Sequence, residues 1–182
     1  MRLSYFFLAF TLMILSCTSG RNMAGALQAV ASVDLNRYMG RWYEIAKIPN
    51  RFQKKCAGGT TAEYQLRADG TVLVVNSCLD HKGKSMVAEG IAKVTDPVTH
   101  AKLKVSFVRL LGMNLFWGDY WIVGLDREYQ YAIVGVPSRK YGWILSRRPE
   151  LSNEQWLDVK GILRSQGYNL GDFERTRHSP GQ

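Results

Sequence analysis

Residue types on which most enzyme sites depend are scarce in this sequence of 182 residues. It contains only three histidines. His81 and His100 fall in predicted turns and His178 in the tail, so none has a buried acid or nucleophile beside it. The sequence also lacks metal-ligand spacing, a phosphate-binding glycine loop and a dinucleotide motif. It therefore predicts no catalytic residue, no metal site and no cofactor, and a protein that is not an enzyme.

Long apolar runs are nearly absent as well. The one that occurs, residues 5–15, is too short to span a bilayer, which takes about 20 residues. It follows a short basic start and has the proportions of a signal-peptide core, which predicts a signal peptide over residues 1–16. The run ends at Ser16-Cys17, which resembles a bacterial lipobox. That resemblance implies a diacylglycerol and fatty acyl anchor such as palmitate on Cys17, and Thr18 after it implies the outer membrane. Cleavage at residues 24–26, where small residues form an A-x-A-like pattern, is the alternative.

Cysteine is also rare, with three in the chain. If Cys17 is acylated, Cys56 and Cys78 remain to pair with each other in an oxidising compartment. They flank a predicted hairpin whose register leaves them about four residues out of line. A bend at Gly58-Gly59 can close that offset, because glycine adopts backbone conformations closed to other residues. We predict a Cys56–Cys78 disulfide.

The composition is that of a folded domain, with 46% hydrophobic and 21% charged residues. The formal net charge of +9 suits nucleic acid, anionic lipid or acidic ligands. An exported protein meets little nucleic acid, so we predict a lipid rather than a nucleic-acid partner.

Beyond residue 40 the hydrophobic pattern has a period of two, which is typical of strands with one buried face. Eight such segments follow one another, mostly through short turns. Because closure removes exposed edges, they predict an all-β fold, an eight-stranded antiparallel up-and-down barrel. The predicted strands cover residues 41–45, 60–67, 72–75, 86–94, 103–107, 120–125, 131–136 and 141–146.

One segment departs from this pattern near the C-terminus. Ser152 and Gln155 form a capping box, and the apolar stripe of Trp156, Val159 and Leu163 predicts a helix packed outside the barrel. The domain organisation is then a signal peptide at 1–16, a lipidated tether at 17–33, the barrel at 34–175 and a tail at 176–182.

Four aromatic residues fall on strand faces that we expect to line the barrel: Tyr64, Phe107, Tyr120 and Trp143. The fourth strand instead turns small residues inward, Ala88, Gly90 and Ala92, which cannot fill an interior to native density. Large aromatics opposite small residues predict a pocket for an elongated apolar molecule. The alternative, in which the aromatics only fill the core, stays open.

Three sequence blocks resemble the lipocalin family. Gly40-Arg41-Trp42-Tyr43-Glu44-Ile45 resembles its G-x-W-Y-E opening, and residues 120–126 and 143–147 resemble its second and third blocks. The likeness runs from about residue 34 to residue 173 and is nearest to bacterial outer-membrane lipocalins, apolipoprotein D and plant temperature-induced lipocalins. It implies a structural contact at the closed end of the barrel, with Arg147 packed over Trp42.

The resemblance also places the loop of residues 49–55 at the open mouth. Its cations, Arg51, Lys54 and Lys55, either attract a carboxylate or phosphate headgroup or form a solvated basic loop.

The resulting hypothesis is a lipocalin that binds, stores or transports a fatty acid or lysophospholipid. It would be anchored to the outer membrane and face the periplasm. Two alternatives remain. One is an enzyme on the same barrel that acts on a lipid. The other is an interaction module of the envelope, for example a homodimer, whose aromatics are only core.

Overall fold

The computed structural model describes residues 25–178, so the predicted signal peptide and Cys17 lie outside the described residues. Eight strands form the antiparallel sheet of the barrel and follow one another in chain order; three shorter strands, β6, β7 and β11, are described below. The eight strands are β1 (Gly40–Lys47), β2 (Gly58–Leu66), β3 (Val72–Leu79), β4 (Ser85–Val94), β5 (Lys102–Ser106), β8 (Gly118–Leu125), β9 (Tyr131–Gly135) and β10 (Gly142–Ser146).

The sheet closes because β10 pairs with β1, and Tyr43 lies opposite Ser146. The predicted fold, an eight-stranded antiparallel up-and-down barrel, is confirmed. We call the end that carries the connections 48–57, 80–84, 107–117 and 136–141 the mouth, and the opposite end the closed end. The strands alternate between an inner and an outer face, since successive side chains point to opposite sides of a sheet.

Two further strand pairs were not predicted. The mouth connection 107–117 folds into a hairpin of β6 (Val108–Leu110) and β7 (Met113–Leu115), which forms a separate two-stranded sheet. At the C-terminus, β11 (Glu174–Arg175) pairs with the mouth half of β1. The Gly59 N–H then donates to the Arg177 carbonyl at 2.7 Å, so this segment fills the gap where β1 and β2 diverge.

The helix outside the barrel is confirmed as α2 (Asn153–Ser165), and both hydrogen bonds of the predicted capping box are present. Val159 and Leu163 are fully buried against the outer face of the barrel, where they pack in one cluster with Ile133 and Ile144. A shorter helix, α1 (Leu35–Tyr38), precedes β1 and is capped by the side chain of Asp34. Among the described residues, no helix has the length and apolarity needed to cross a membrane.

The disulfide between Cys56 and Cys78 is confirmed, with an S–S distance of 2.04 Å and the Cα atoms 5.6 Å apart. The pairing of β2 with β3 shifts register between Gly58 and Thr61, and Gly59 adopts a φ of +61°. The predicted glycine bend is therefore present, and its shift of one residue closes part of the four-residue offset.

The packing does not stop at the predicted domain boundaries. Residues 25–33, assigned to the tether, run along the barrel, and Leu27 and Val33 are buried. The Val30 N–H donates to the Ile122 carbonyl at 2.9 Å. This segment is bound because its scattered apolar residues meet apolar positions on the barrel. Similarly, the first residues of the predicted tail continue from β11.

Candidate functional site

Three tyrosine hydroxyls meet inside the barrel and form what we call the tyrosine cluster. The Tyr120 hydroxyl lies 2.8 Å from that of Tyr38 and 2.9 Å from that of Tyr64. Two of them were predicted to line the pocket, and Tyr38 joins them because α1 folds its last residue into the closed end. Tyr38 and Tyr64 are buried. The cluster therefore forms a floor across the barrel.

Burial dominates the acid–base behaviour of this floor. Desolvation raises the pKa of Tyr64 to about 12 and raises the pKa values of Tyr38 and Tyr120 well above their usual range. All three hydroxyls thus stay neutral at physiological pH. They act as hydrogen-bonding groups there, not as bases.

Below the tyrosine cluster the interior is filled. Trp42, Ile122, Val134 and Leu145 are buried there in one hydrophobic core that also contains Ala92. None of these inward side chains is accessible to solvent. This half of the barrel therefore stabilises the fold and has no room for a ligand among these residues.

Above the cluster the interior is open. Ala88 faces inward, since it pairs with Asn76, which pairs in turn with the buried Ala62. Yet Ala88 is exposed to solvent, and Asn76 is only half-buried. A residue that faces the interior and remains exposed indicates that the interior is accessible to solvent from the mouth. Of the three small inward residues that the sequence singles out, Ala88 is exposed, whereas Gly90 and Ala92 are buried.

Part of the space that small residues leave is filled by an aromatic ring. Gly90 is buried, and a Cβ atom placed on it would lie 2.6 Å from Cδ1 of Phe107. Phe107 therefore packs over Gly90 at the mouth, where it is 41% exposed. It forms a wall of the upper half.

Trp143 also belongs to the upper half, and a buried polar network holds its ring. The Trp143 Nε1–H donates to Gln53 Oε1 at 3.1 Å. The Gln53 amide in turn donates to Glu44 at 2.5 Å. Glu44 is 3% exposed and also accepts from Thr176 Oγ1 at 2.6 Å, and Lys47 Nζ lies 3.3 Å from it. The network thus connects β1, β10 and the C-terminal segment with the loop of residues 49–55, which we call the entrance loop.

Four residues of this site were not predicted from the sequence: Tyr38, Glu44, Gln53 and Thr176. Strand alternation was a usable signal for Glu44, because it lies two residues after Trp42 and points to the same side. No sequence pattern indicates the other three, since each reaches the site through the docking of a helix, a loop or the C-terminal segment.

The closed end carries the contact that the family resemblance implied. Arg147 Cζ lies 3.9 Å from the ring centroid of Trp42. The same guanidinium donates to the carbonyls of Arg41, Arg37 and Met39 at 2.7–2.8 Å. This arrangement seals the barrel base.

The entrance loop carries its predicted cations on the mouth side. A helical turn, Arg51–Gln53, is capped by the Asn50 side chain, and Arg51, Lys54 and Lys55 are exposed. In residues 25–178 we find no group of three histidine, cysteine or acidic side chains that could hold a metal ion.

An eight-stranded up-and-down barrel with a filled base and an open upper half is the architecture of proteins that enclose one small ligand. Comparison with known proteins supports the same class of protein. The family model described as a lipocalin-like domain matches residues 33–178. The chain therefore belongs to the lipocalin family, whose members are in general binding proteins for small hydrophobic molecules.

Several curated relatives span most of the chain. Temperature-induced lipocalin-1 of Arabidopsis thaliana is 40% identical, over 84% of this chain and 83% of its own length. The outer membrane lipoprotein Blc of Escherichia coli is 36% identical, over 88% of each. Apolipoprotein D of Mus musculus is 35% identical, over 79% of this chain and 76% of its own. Among solved structures, insecticyanin from the tobacco hornworm has a TM-score of 0.68 at 24% identity and covers 85% of both chains, a likeness of fold alone.

Proposed function

We propose that the upper half of the barrel binds a lipid with a single acyl chain, a fatty acid or a lysophospholipid. The observation that carries the proposal is the exposure of the inward-facing Ala88 above the tyrosine cluster. Each methylene group buried there contributes about 0.8 kcal/mol, so an acyl chain gains affinity without any reaction. Phe107 and Trp143 supply the walls, and Tyr64 and Tyr120 set the depth.

The headgroup would remain at the mouth. Among the described residues, the half-buried Lys47 faces the interior near Trp143 and is already paired with Glu44. Free cations lie instead on the entrance loop, where Arg51, Lys54 and Lys55 can meet a carboxylate or phosphate. This arrangement keeps the charged group in water and buries only the chain, which avoids the cost of desolvating an ion.

The proposed location is the outer membrane, with a lipid on Cys17 and the barrel facing the periplasm. Two observations support it. The sequence around Cys17 resembles a lipobox, and relatives from Escherichia coli, Citrobacter freundii and Vibrio cholerae bear the name outer membrane lipoprotein. Intact mass of the mature N-terminus tests the modification.

A pair of variants on neighbouring positions of β4 tests the binding site. Ala88→Trp places a large ring inside the upper half, whereas Val87→Trp places the same ring on the outer face, where Val87 is 61% exposed. We expect Ala88→Trp to weaken displacement of a fluorescent fatty-acid probe at least about tenfold, equivalent to 1.4 kcal/mol. Val87→Trp should bind like the wild type.

Lipid extraction and mass spectrometry of the purified protein identify the natural ligand. Both variants must first show an unfolding transition in denaturant like that of the wild type. Equal probe affinity of the two variants would place binding outside the barrel. A protein that carries no lipid and displaces no probe would contradict the proposal.

A further inference from the structure

The hairpin of β6 and β7 presents an apolar face at the mouth. Directly paired residues point to the same side of a sheet. The residues that share this face are Val108 with Leu115 and Leu110 with Met113. Val108, Leu110 and Met113 are 45%, 58% and 61% exposed. Within residues 25–178 this face is therefore only partly covered, since Leu115 is half-buried and the other three side chains are exposed.

Two apolar residues next to these strands are still more exposed. Leu111 lies in the hairpin turn, directly after β6, and Phe116 directly follows β7. Leu111 is 88% exposed with a φ of +49°, and Phe116 is 82% exposed with a φ of +57°. A left-handed backbone favours glycine or asparagine, not a bulky side chain. Neither burial nor backbone preference in the isolated protein accounts for these residues.

Charge is concentrated around the same apolar hairpin. The four mouth connections carry eight cations and one carboxylate, Asp80. The cations are Arg51, Lys54, Lys55, Lys82, Lys84, Arg109, Arg139 and Lys140. The connections between strands at the closed end, 67–71, 95–101 and 126–130, carry two cations and four carboxylates. The positive end of the molecule is thus the mouth.

The N-terminal segment enters the described structure on the mouth side. The Arg139 guanidinium, in the mouth connection 136–141, donates to the Gly25 carbonyl. From Gly25 the chain runs toward the closed end, where the Val33 N–H donates to the Thr99 carbonyl at 2.8 Å. Cys17 lies eight residues before Gly25, and eight extended residues reach at most about 28 Å. A lipid on Cys17 is therefore attached on the mouth side, with a reach that allows the mouth to lie against the bilayer.

A second copy of the chain is a poorer partner for this surface. Two mouths facing each other would bring two strongly positive rims together, which costs free energy. An anionic bilayer supplies the opposite charge to the rim and an apolar layer for the hairpin tip.

We infer that the mouth docks on an anionic phospholipid bilayer, with the hairpin of β6 and β7 inserted at the interface and the basic rim on the headgroups. The inference deepens the proposed function, because it brings the open half of the barrel to the lipid that it would take up. A single-chain lipid then passes from bilayer to barrel with little exposure to water.

A fluorophore attached at two matched positions tests the orientation. Leu111→Cys and Val98→Cys each replace an apolar residue that is more than 80% exposed, at the mouth and at the closed end respectively. Each labelled protein keeps the N-terminus that it carries when purified from the envelope. It is mixed with vesicles of phosphatidylcholine and phosphatidylglycerol, three to one, that contain a spin-labelled lipid quencher. We expect quenching at position 111 several-fold stronger than at position 98.

Two further experiments separate the electrostatic contribution of the basic rim from the apolar contribution of the hairpin. High salt and vesicles of phosphatidylcholine alone should both weaken quenching at position 111, because screening removes the attraction of the rim. In unlabelled protein, Leu111→Asn together with Phe116→Asn should reduce transfer of a fluorescent lysophospholipid from vesicles several-fold. Asparagine tolerates the left-handed backbone, so this variant should fold like the wild type.

Equal quenching at positions 111 and 98 would overturn the docking. So would cross-linking of two copies through position 111 without quenching, which would assign the face to a second copy. Probe displacement in solution separates this inference from the proposed function. Binding in the barrel without vesicle contact contradicts docking alone, and vesicle contact with an empty barrel contradicts only the proposed function.

Discussion

The closed half and the mouth half of the barrel are built from the same strands but use their inward faces in opposite ways. In the closed half, Trp42 is fully buried, and the guanidinium of Arg147, which packs on its ring, donates hydrogen bonds to three backbone carbonyls. In the mouth half, Ala88 faces inward and is exposed, and apolar side chains such as Leu111 project into solvent. Alternation fixes which side a residue faces, and side-chain size decides whether that side becomes core or cavity.

The largest expected effect comes from the closed half. Trp42→Ala removes a large, fully buried side chain and the ring under Arg147, so it should lower the free energy of unfolding by about 3–5 kcal/mol. Denaturant unfolding measures this change. Leu111→Ala at the mouth is the matched control and should shift stability by less than about 0.5 kcal/mol. Similar losses in the two variants would contradict the division into a structural and an open half.

The disulfide is the main covalent support of the mouth half. Replacing Cys56 and Cys78 together by serine opens a link with a sequence separation of 22 and should destabilise the fold by about 3 kcal/mol. Unfolding with and without reductant measures the effect. Reductant should lower the midpoint of the wild type and leave that of the double variant unchanged. A wild-type midpoint insensitive to reductant would show that the link does not contribute.

The tyrosine cluster lies between the two halves and gives a pH signature. The folded protein holds the Tyr64 proton up to a pKa of about 12, whereas an unfolded tyrosine loses it near pH 10. Ionisation therefore favours the unfolded state above pH 10, and stability should fall as pH rises from 10 to 12. The slope is about 1.4 kcal/mol per pH unit for each proton involved.

Tyr64→Phe separates this effect from other groups that titrate in the same range. Between pH 10 and 12 the free energy of unfolding of the variant should fall less steeply with pH than that of the wild type. The difference in slope should be at most that of one proton, about 1.4 kcal/mol per pH unit. Unfolding in denaturant at each pH gives both slopes. Identical slopes would mean that the Tyr64 hydroxyl is not protected in the folded barrel.

Most of the closed half could be predicted from the sequence. Alternating strands and short turns predict the barrel, and the capping box at Ser152 predicts α2. The pairing of Trp42 with Arg147 needed the family resemblance, because residues 105 positions apart meet only when the barrel closes. These features follow from local periodicity, from one motif or from closure itself.

The mouth half was harder to predict. Strand alternation placed Tyr64, Phe107, Tyr120 and Trp143 on inward faces, but the hairpin of β6 and β7 alternates over only three residues per strand, too few for a period. Tyr38 reaches the tyrosine cluster through the docking of α1. Contacts that depend on how separate elements dock carry no signal within a short window of sequence.

The smallest expected effect concerns the polar network of the mouth half. Trp143→Phe keeps an aromatic ring but removes the hydrogen bond to Gln53, so stability should fall by about 1 kcal/mol. Gln53 Oε1 still accepts from Asn50 at 2.8 Å, which limits the loss. If the network orients the indole for a ligand, probe affinity should fall several-fold as well, measured by displacement. A loss of stability with unchanged affinity would assign the network to the structure of the entrance. The mouth half would then contain its own core, and the ligand would depend on Ala88 and Phe107 instead.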